Sequence, residues 1–438
     1  MVKLNGQLKL KEEIFRKVGK YYKLFLDNEI MGVPVSGKVY DEKELIAIVS
    51  AALDGWWTEG SVTQEFEEKF SKFLGVKHTI VVNSGSSANL LALKTLFSAK
   101  LKNRRLKEGD EVITVAVGFP TTINPIIQCN LVPVFCDVDL KTYVINIKQL
   151  KSAISKKTKV VFLSHTLGNP FNVDEVKRLC KKHNLWLIED NCDSLGSEYK
   201  GKLTGTFGDI STHSFYPAHH ITMGEGGALC VHNSELAKIA KSIRDWGKDC
   251  WCRTGKDNFC MKRFDWKLGK LPHGYDHKYI YSEIGYNLKN TDLNVAIGLA
   301  QMEKLNSFIR QRRNNFLLLR EKLLKFQKYF ILPEATKNSN PSWFGFLITL
   351  KKDCPFPRTE LLRYLTKNKI GTRLLFAGNI IKQPYFVENK IKYRTVGSLG
   401  NTDFIMENTF WIGVYPGINK KHIDYIEKTL ENFLKERK

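Results

Sequence analysis

ISTHSFYPAHHITMGEGGALCVH, residues 210–232, is the stretch on which the fold turns. It opens on a β-branched apolar run, Ile210–Ser214, and passes through Phe215, Tyr216 and Pro217 to paired histidines. The glycine-rich turn Gly224–Gly227 then leads into a second apolar run, Ala228–Val231. Runs of the same kind recur upstream at Thr79–Val82, Glu111–Val115, Val132–Cys136, Lys159–Leu163 and Leu185–Ile188. Helix-like stretches such as Asn146–Ser155 and Val173–His183 separate them. That alternation predicts parallel strands joined by crossover helices over about 78–232, an α/β fold. A sheet of this kind binds its ligand at the carboxyl ends of its strands.

At 438 residues the chain exceeds the usual reach of one hydrophobic core. The expectation is a large domain over 1–320, with an N-terminal arm, and a smaller α+β domain over 321–438. The formal charge is +23. A nucleic-acid or membrane partner needs such charge gathered in a patch or stripe. Here lysines are spread through nearly every helix-like segment, with modest clusters such as Lys100, Lys102, Arg104, Arg105 and Lys107. The reading is a solvated basic surface, with no nucleic-acid and no membrane partner. The opening MVKLNGQLKLKEEIFRKVGKYY holds no apolar run of signal-peptide length, and no later stretch is long enough to span a bilayer. A cytoplasmic protein is expected, in which nine cysteines do not form structural disulfides. Cys129, Cys136, Cys180, Cys230 and Cys354 fit packing roles, and clustered cysteines are candidates for metal or redox chemistry.

Residues 248–282 break the rhythm, being rich in Cys, Gly, Asp, Lys and aromatic residues without a period. An insertion of that length calls for a function. A helical pattern then runs from Asp292 past Arg320. SWFGFLITL (342–350), RTELLRYLTKNKI (358–370) and the terminal KKHIDYIEKTLENFLKE read as the small strand-and-helix domain.

Three segments carry chemistry. In VVNSGSSANLLALKTL a strand runs through Gly85, Ser86 and Ser87 into a helix, whose free N–H groups suit an anion. Serine there is also an ordinary helix cap. LWLIEDNCDSLGS is a buried strand ending in adjacent acids, Glu189 and Asp190; such a carboxylate suits a protonated pyridine nitrogen, a helix cap or a metal. The third segment is the opening stretch. In this order and spacing, with GYNLKNTDLNVAIGLAQMEKL (285–305), they resemble the sugar aminotransferase and dehydrase family of the aspartate aminotransferase fold. The resemblance runs from about residue 35 to the C-terminus. It implies a mostly parallel mixed sheet flanked by helices, and a vitamin B6 phosphate cofactor held at its phosphate by Gly85, Ser86 and Ser214. Phe119, in VGFPTT, would stack on the ring, Asp190 would pair with the pyridine nitrogen and Asp193 would flank it. Asn287 would reach the phosphate in a neighbouring subunit, which implies a homodimer.

The departure from that pattern is His219. In the family the fifth residue after the serine of the S-F motif is the Schiff-base lysine, and Ser214 plus five is a histidine; no lysine lies between Lys202 and Lys238. The cofactor is then held non-covalently, as pyridoxamine 5'-phosphate or unlinked pyridoxal phosphate. A histidine of near-neutral pKa still serves as general base. His219 and His220 exchange roles if the loop is shifted by one residue, and taken alone the pair reads as polar residues in an exposed turn.

Cys250 and Cys252, in DCWCRTGKDNFC, precede Cys260, and Cys192 follows Asp190 on the cofactor strand. Four thiolates are the complement of an iron–sulfur cluster or a tetrahedral zinc. Taken with His219, they resemble one subfamily, the CDP-4-keto-6-deoxyglucose-3-dehydrases, which unite pyridoxamine phosphate, a histidine base and a two-iron two-sulfur, [2Fe-2S], cluster. GKVYDEKEL, SHTLGN, GYDHKY and TRLLFAGN add to that likeness. It implies C3 dehydration of a nucleotide-linked, CDP-linked, 4-keto-6-deoxyhexose in 3,6-dideoxysugar and lipopolysaccharide O-antigen biosynthesis. Tyr216 would polarise the leaving hydroxyl, by position alone. GEGGA follows the cofactor turn instead of opening a dinucleotide site, so reduction implies a separate NADH-dependent flavin and iron–sulfur reductase. Loop 248–282 would then bind the cluster and dock that reductase. The alternatives are a nucleotide-sugar aminotransferase, a GDP-4-keto-6-deoxymannose 3-dehydratase without a cluster, and a non-catalytic zinc-binding scaffold.

Overall fold

A computed structural model describes residues 2–26, 32–252 and 254–437. In chain order its strands are β1 (His78–Val82), β2 (Glu111–Val115), β3 (Val132–Cys136), β4 (Thr158–Ser164), β5 (Trp186–Asp190), β6 (Glu198–Tyr199) and β7 (Lys202–Leu203). There follow β8 (Ile210–Ser214), β9 (Gly227–Val231), β10 (Phe330–Ile331), β11 (Ser339–Asn340), β12 (Gly345–Leu350), β13 (Arg394–Thr395) and β14 (Thr409–Gly413). Eight of these form the main sheet, in the order β1-β9-β8-β5-β4-β2-β3-β13. From β8 through β13 every neighbouring pair is parallel. The strands β2 and β5 are buried along their whole length, as expected where helices cover both faces.

All seven strands read from the sequence are present, and the sheet is mostly parallel and mixed, as the resemblance implies, with β9 running antiparallel to both β1 and β8. The reason lies in the 210–232 stretch itself. Only the turn 215–226, without a helix, joins β8 to β9, a connection at the lower limit of a parallel crossover and lacking the helix that usually makes one. The single helical pattern from Asp292 breaks into Asp292–Met302 and Leu305–Leu323.

Near the C-terminus, β10, β12 and β14 make a three-stranded antiparallel sheet. Phe316, Leu319 and Leu323 of the helix Leu305–Leu323 share a core with Phe346 and Ile348 of β12 and with Ile423, Ile426 and Phe433 of the terminal helix. The N-terminal segment joins this region through Val33, whose N–H donates to the Lys369 carbonyl (2.9 Å) and whose carbonyl accepts from Gly371 (2.8 Å).

Among the described residues of 248–282 regular structure is limited to the helical turn His277–Tyr279 and an isolated bridge between Lys248 and Tyr281. Local contacts order the loop: His277 Nε2 lies 3.0 Å from Asp249, Arg263 pairs with Asp276 at 2.6 Å, and Trp251 meets the stacked rings of Trp266 and His277 edge-on, with centroids 5.1–5.8 Å apart. Among the described residues no helix is long and apolar enough to cross a membrane.

Candidate active site

A cavity of about 650 Å3 opens at the carboxyl ends of β4, β5 and β8, where an α/β sheet presents its ligand site. Ser86, Phe119, Asp193 and Tyr216 line it, with the residues described next.

One end is an anion cradle. Ser84 caps the helix Gly85–Thr95, its hydroxyl accepting from Ser87 N–H (3.1 Å), so the first-turn N–H groups of Gly85 and Ser86 are left without intrahelical partners. Glycine is required at 85 because a Cβ would lie 2.5 Å from Ser214 Cβ and 3.1 Å from Cys192 Sγ. Gly227 is equally constrained: its Cβ would meet the Ser84 backbone at 2.4 Å.

The two acids ending β5 point to opposite faces, as the two-residue period of a strand requires. Asp190 faces the cavity. Its Oδ2 accepts from Asn89 Nδ2 (2.9 Å) and Thr122 Oγ1 (2.7 Å), and its Oδ1 accepts from Cys192 N–H (3.2 Å). Asn89 is itself pinned, donating to the Thr121 carbonyl (3.0 Å) and accepting from Thr212 Oγ1 (2.5 Å). Glu189 points away, to His165 Nε2 (2.9 Å) and to the N–H groups of Gly205, Phe207 and Gly208. Burial alone would raise its pKa, but hydrogen bonds and charge from His165 with those N–H groups outweigh it and hold the carboxyl below its usual value.

His219 lines the cavity, whereas His220 is buried behind it with Nε2 2.9 Å from the Ser342 carbonyl. The structure therefore puts residue 219, not 220, at the site. Its Nδ1 lies 3.6 Å from Asp193 Oδ1 and its ring centroid 5.1 Å from that of Phe344. The expected near-neutral pKa is corrected. Burial first, then the positive charge of Arg312, push His219 down to about 3, so the imidazole is neutral, the form that accepts a proton. Burial and the charge of Asp190 raise Asp193 to about 8. Phe119 and Tyr216 are each 51% exposed, and Phe119 meets Phe376 edge-on at 5.6 Å.

Asn287 is exposed and does not line this cavity; its backbone pairs with Asp245 and its Oδ1 accepts from Lys289 (2.9 Å). The four cysteines do not converge as a metal site would require. Cys192 lines the cavity, and burial with the Asp190 charge raises its thiol well above the usual value. In the loop burial raises the Cys250 thiol, while hydrogen bonds from Cys260 N–H and the neighbouring thiols overcome burial to lower that of Cys252. Among the described residues no group of three or more His, Cys, Asp or Glu side chains is arranged to hold a metal ion. One chain thus fits the B6 phosphate, with its cradle, carboxylate and volume, and does not by itself fit the cluster.

Asn89, Thr122, Phe344 and Arg312 were not read from the sequence. Asn89 and Thr122 sit inside quoted motifs, three and two residues beyond Ser86 and Pro120, but their partner is 68 to 101 residues away in the chain.

Comparison with known proteins agrees with this geometry. The chain is 55% identical over 429 residues, 97% of its length and 98% of the other's, to the lipopolysaccharide biosynthesis protein RfbH of Salmonella typhimurium. It is 52% identical to a dTDP-4-dehydro-2,6-dideoxy-D-glucose 3-dehydratase of Saccharopolyspora spinosa, over 91% of this chain and 86% of that one. The solved E. coli GDP-4-keto-6-deoxy-D-mannose-3-dehydratase with bound hydrated PLP superposes with a TM-score of 0.82 at 31% identity, covering 92% of this chain and all of that one. Residues 39–431 match one family model, and with the cradle, Asp190 and the mixed sheet already in place, the chain belongs to the DegT/DnrJ/EryC1/StrS aminotransferase family.

Proposed function

We propose that this protein removes the C3 hydroxyl of a nucleotide-linked 4-keto-6-deoxyhexose with pyridoxamine phosphate in place, in dideoxysugar and lipopolysaccharide biosynthesis. The observation that carries the reading is His219, lining the cavity at the position where the family pattern has a lysine, with no lysine among the lining residues. The named activities of the relatives from Saccharopolyspora spinosa and E. coli support the reaction class. CDP as the nucleotide rests on the sequence resemblance.

When bound, pyridoxamine phosphate supplies the amine that joins the 4-keto carbon and the ring that draws electrons from it. The chain's own residues do the rest. Gly85, Ser86 and Ser214 would hold the phosphate, Phe119 would cover one ring face, and Asp190, fixed by Asn89 and Thr122, would keep the pyridine nitrogen protonated. His219, neutral, accepts the proton released beside the ring. Asp193 stands 3.6 Å from Nδ1 of the imidazole, and Tyr216 offers a hydroxyl toward the departing oxygen. Asn287 serves a second subunit's phosphate in a homodimer.

The reading includes a two-iron two-sulfur cluster on Cys192, Cys250, Cys252 and Cys260, supplied with electrons by an NADH-dependent flavin and iron–sulfur reductase in the cytoplasm. Its support is the four-cysteine pattern, and no step of the dehydration is assigned to it. A second reading, dehydration without a cluster, is favoured by one observation, that the four thiols do not meet within the described chain.

Two experiments test this. His219→Asn should slow water loss from the keto-sugar about 10²- to 10⁴-fold, leaving a slow residual rate; release at the parental rate removes His219 as the base. Anaerobic purification with metal analysis should give about two iron and two sulfide per chain. Stoichiometric zinc, or no metal, leaves the dehydration reading and ends the cluster reading.

A further inference from the structure

The guanidinium of Arg312, buried behind the imidazole, is a charged group that the proposed reaction leaves unused. It stands midway along the helix Leu305–Leu323 and is 1% exposed. Among the described residues it forms no ion pair within 4.0 Å; Nη2 donates to the His219 carbonyl (3.1 Å) and Nη1 to those of Trp343 (3.2 Å) and Phe344 (3.4 Å). Its Nε has no acceptor. A buried charge without a counter-ion is costly, and a fold that keeps one commonly uses it.

The three carbonyls belong to two segments that bracket the imidazole. Residues 343–344 lead into β12, and Phe344 N–H is anchored on the Leu167 carbonyl at 2.9 Å. The Phe344 ring lies against the His219 ring, and Asp193 stands on another side of that ring. Arg312 holds the main chain of residue 219 from behind, and the planar fork of its guanidinium reaches both segments at once, which a lysine ammonium does not do.

We propose that Arg312 is a positioning residue for the base: by tying the main chain of residue 219 to that of residues 343 and 344, it fixes where the His219 imidazole stands in the cavity. This rests on His219 acting as the base. A base displaced by about 1 Å loses on the order of 10²-fold in rate while substrate binding is little changed.

The test is a double-mutant cycle of Arg312→Met and His219→Asn, followed as single-turnover water release from CDP-4-keto-6-deoxyglucose with the pyridoxamine phosphate enzyme. In the parent background Arg312→Met should lower the rate about 10- to 100-fold with the KM for the sugar and the affinity for pyridoxamine phosphate within about two-fold. In the His219→Asn background it should cost nothing further. Arg312→Lys should recover only part of the loss, and takes the place of Arg312→Met in the cycle if that variant does not fold. An equal fold-loss in both backgrounds, an unchanged rate, or a parallel loss of cofactor and substrate affinity overturns the proposal. Parental activity of His219→Asn alone overturns the base assignment as well, and is recognised because the single variant gives it.

Discussion

Asp190→Asn is the substitution whose outcome the structure defines most fully. Three donors converge on this carboxylate: Asn89 Nδ2 and Thr122 Oγ1 on one oxygen, Cys192 N–H on the other. An amide keeps one acceptor oxygen, which belongs with Asn89 and Thr122, so its NH2 group must turn toward Cys192 N–H and the cavity. Two donors then face each other at the Cys192 amide, and one charge-assisted bond worth about 1.5–3 kcal/mol is lost. The larger effect is on the ring. A pyridine nitrogen facing an amide N–H accepts a hydrogen bond instead of carrying a proton, which weakens the electron withdrawal on which the reaction depends. Loss of one such fixed electrostatic group costs on the order of 10²–10³-fold in kcat. The assay is single-turnover dehydration, with thermal unfolding in parallel. N1-methylated pyridoxamine phosphate, whose ring is permanently cationic, should restore much of the rate in the variant and little in the parent. A folded Asp190→Asn protein within five-fold of the parent, or one not improved by the methylated cofactor, refutes the reasoning.

Gly85→Ala should weaken pyridoxamine phosphate binding at least ten-fold in a spectroscopic titration, because the new Cβ must push aside Ser214 Cβ at 2.5 Å; unchanged affinity would show that the cradle is elsewhere. Glu59→Ala removes one of the two carboxylates that Nη2 of Arg244, 1% exposed, reaches, at 2.7 Å, leaving Asp245 at 3.1 Å, and should destabilise the fold by about 1.5–3 kcal/mol in denaturant unfolding; unchanged stability refutes the pairing. Burial raises Glu67 to about 7 from 4.5, so an unfolded chain ionises it before the folded one does, and this residue's contribution to stability falls as pH rises from about 4.5 to about 7. Glu67→Gln keeps the acceptor for Val81 N–H and should flatten that slope, raising Tm at pH 8 relative to the parent; an unaltered Tm–pH curve counts against it.

The strands from Thr79 to Val231 were legible because each is a short apolar run whose burial needs no distant partner to be recognised. The direction of β9 was not written in its own residues, since Ala228–Val231 reads alike in either orientation, and only the preceding turn, which has no helix, decides. The cavity divides in the same way. Ser86, Asp190, Ser214 and His219 were readable because motif and spacing place them at strand ends. Arg312 was unreadable because it sits in a helix of ordinary polar composition, and its partners are carbonyls, which any residue possesses. The neutrality of His219 was likewise hidden, since it comes from burial and from a charge 93 residues further along the chain. For the cysteines, the pattern pointed to four thiols together, and among the described residues no such group is arranged for a metal.

Within the turn between β8 and β9 the frame around residue 219 is held by main-chain groups: His219 N–H to the Tyr216 carbonyl (2.9 Å), Met223 N–H to that of Phe215 (2.8 Å), Phe215 N–H to that of Gly226 (2.9 Å), and the His219 carbonyl to Arg312. None of these bonds uses the side chain of residue 219. The turn therefore behaves as a socket with an interchangeable fitting, in which the reaction can be altered at one codon while the frame stays as it was.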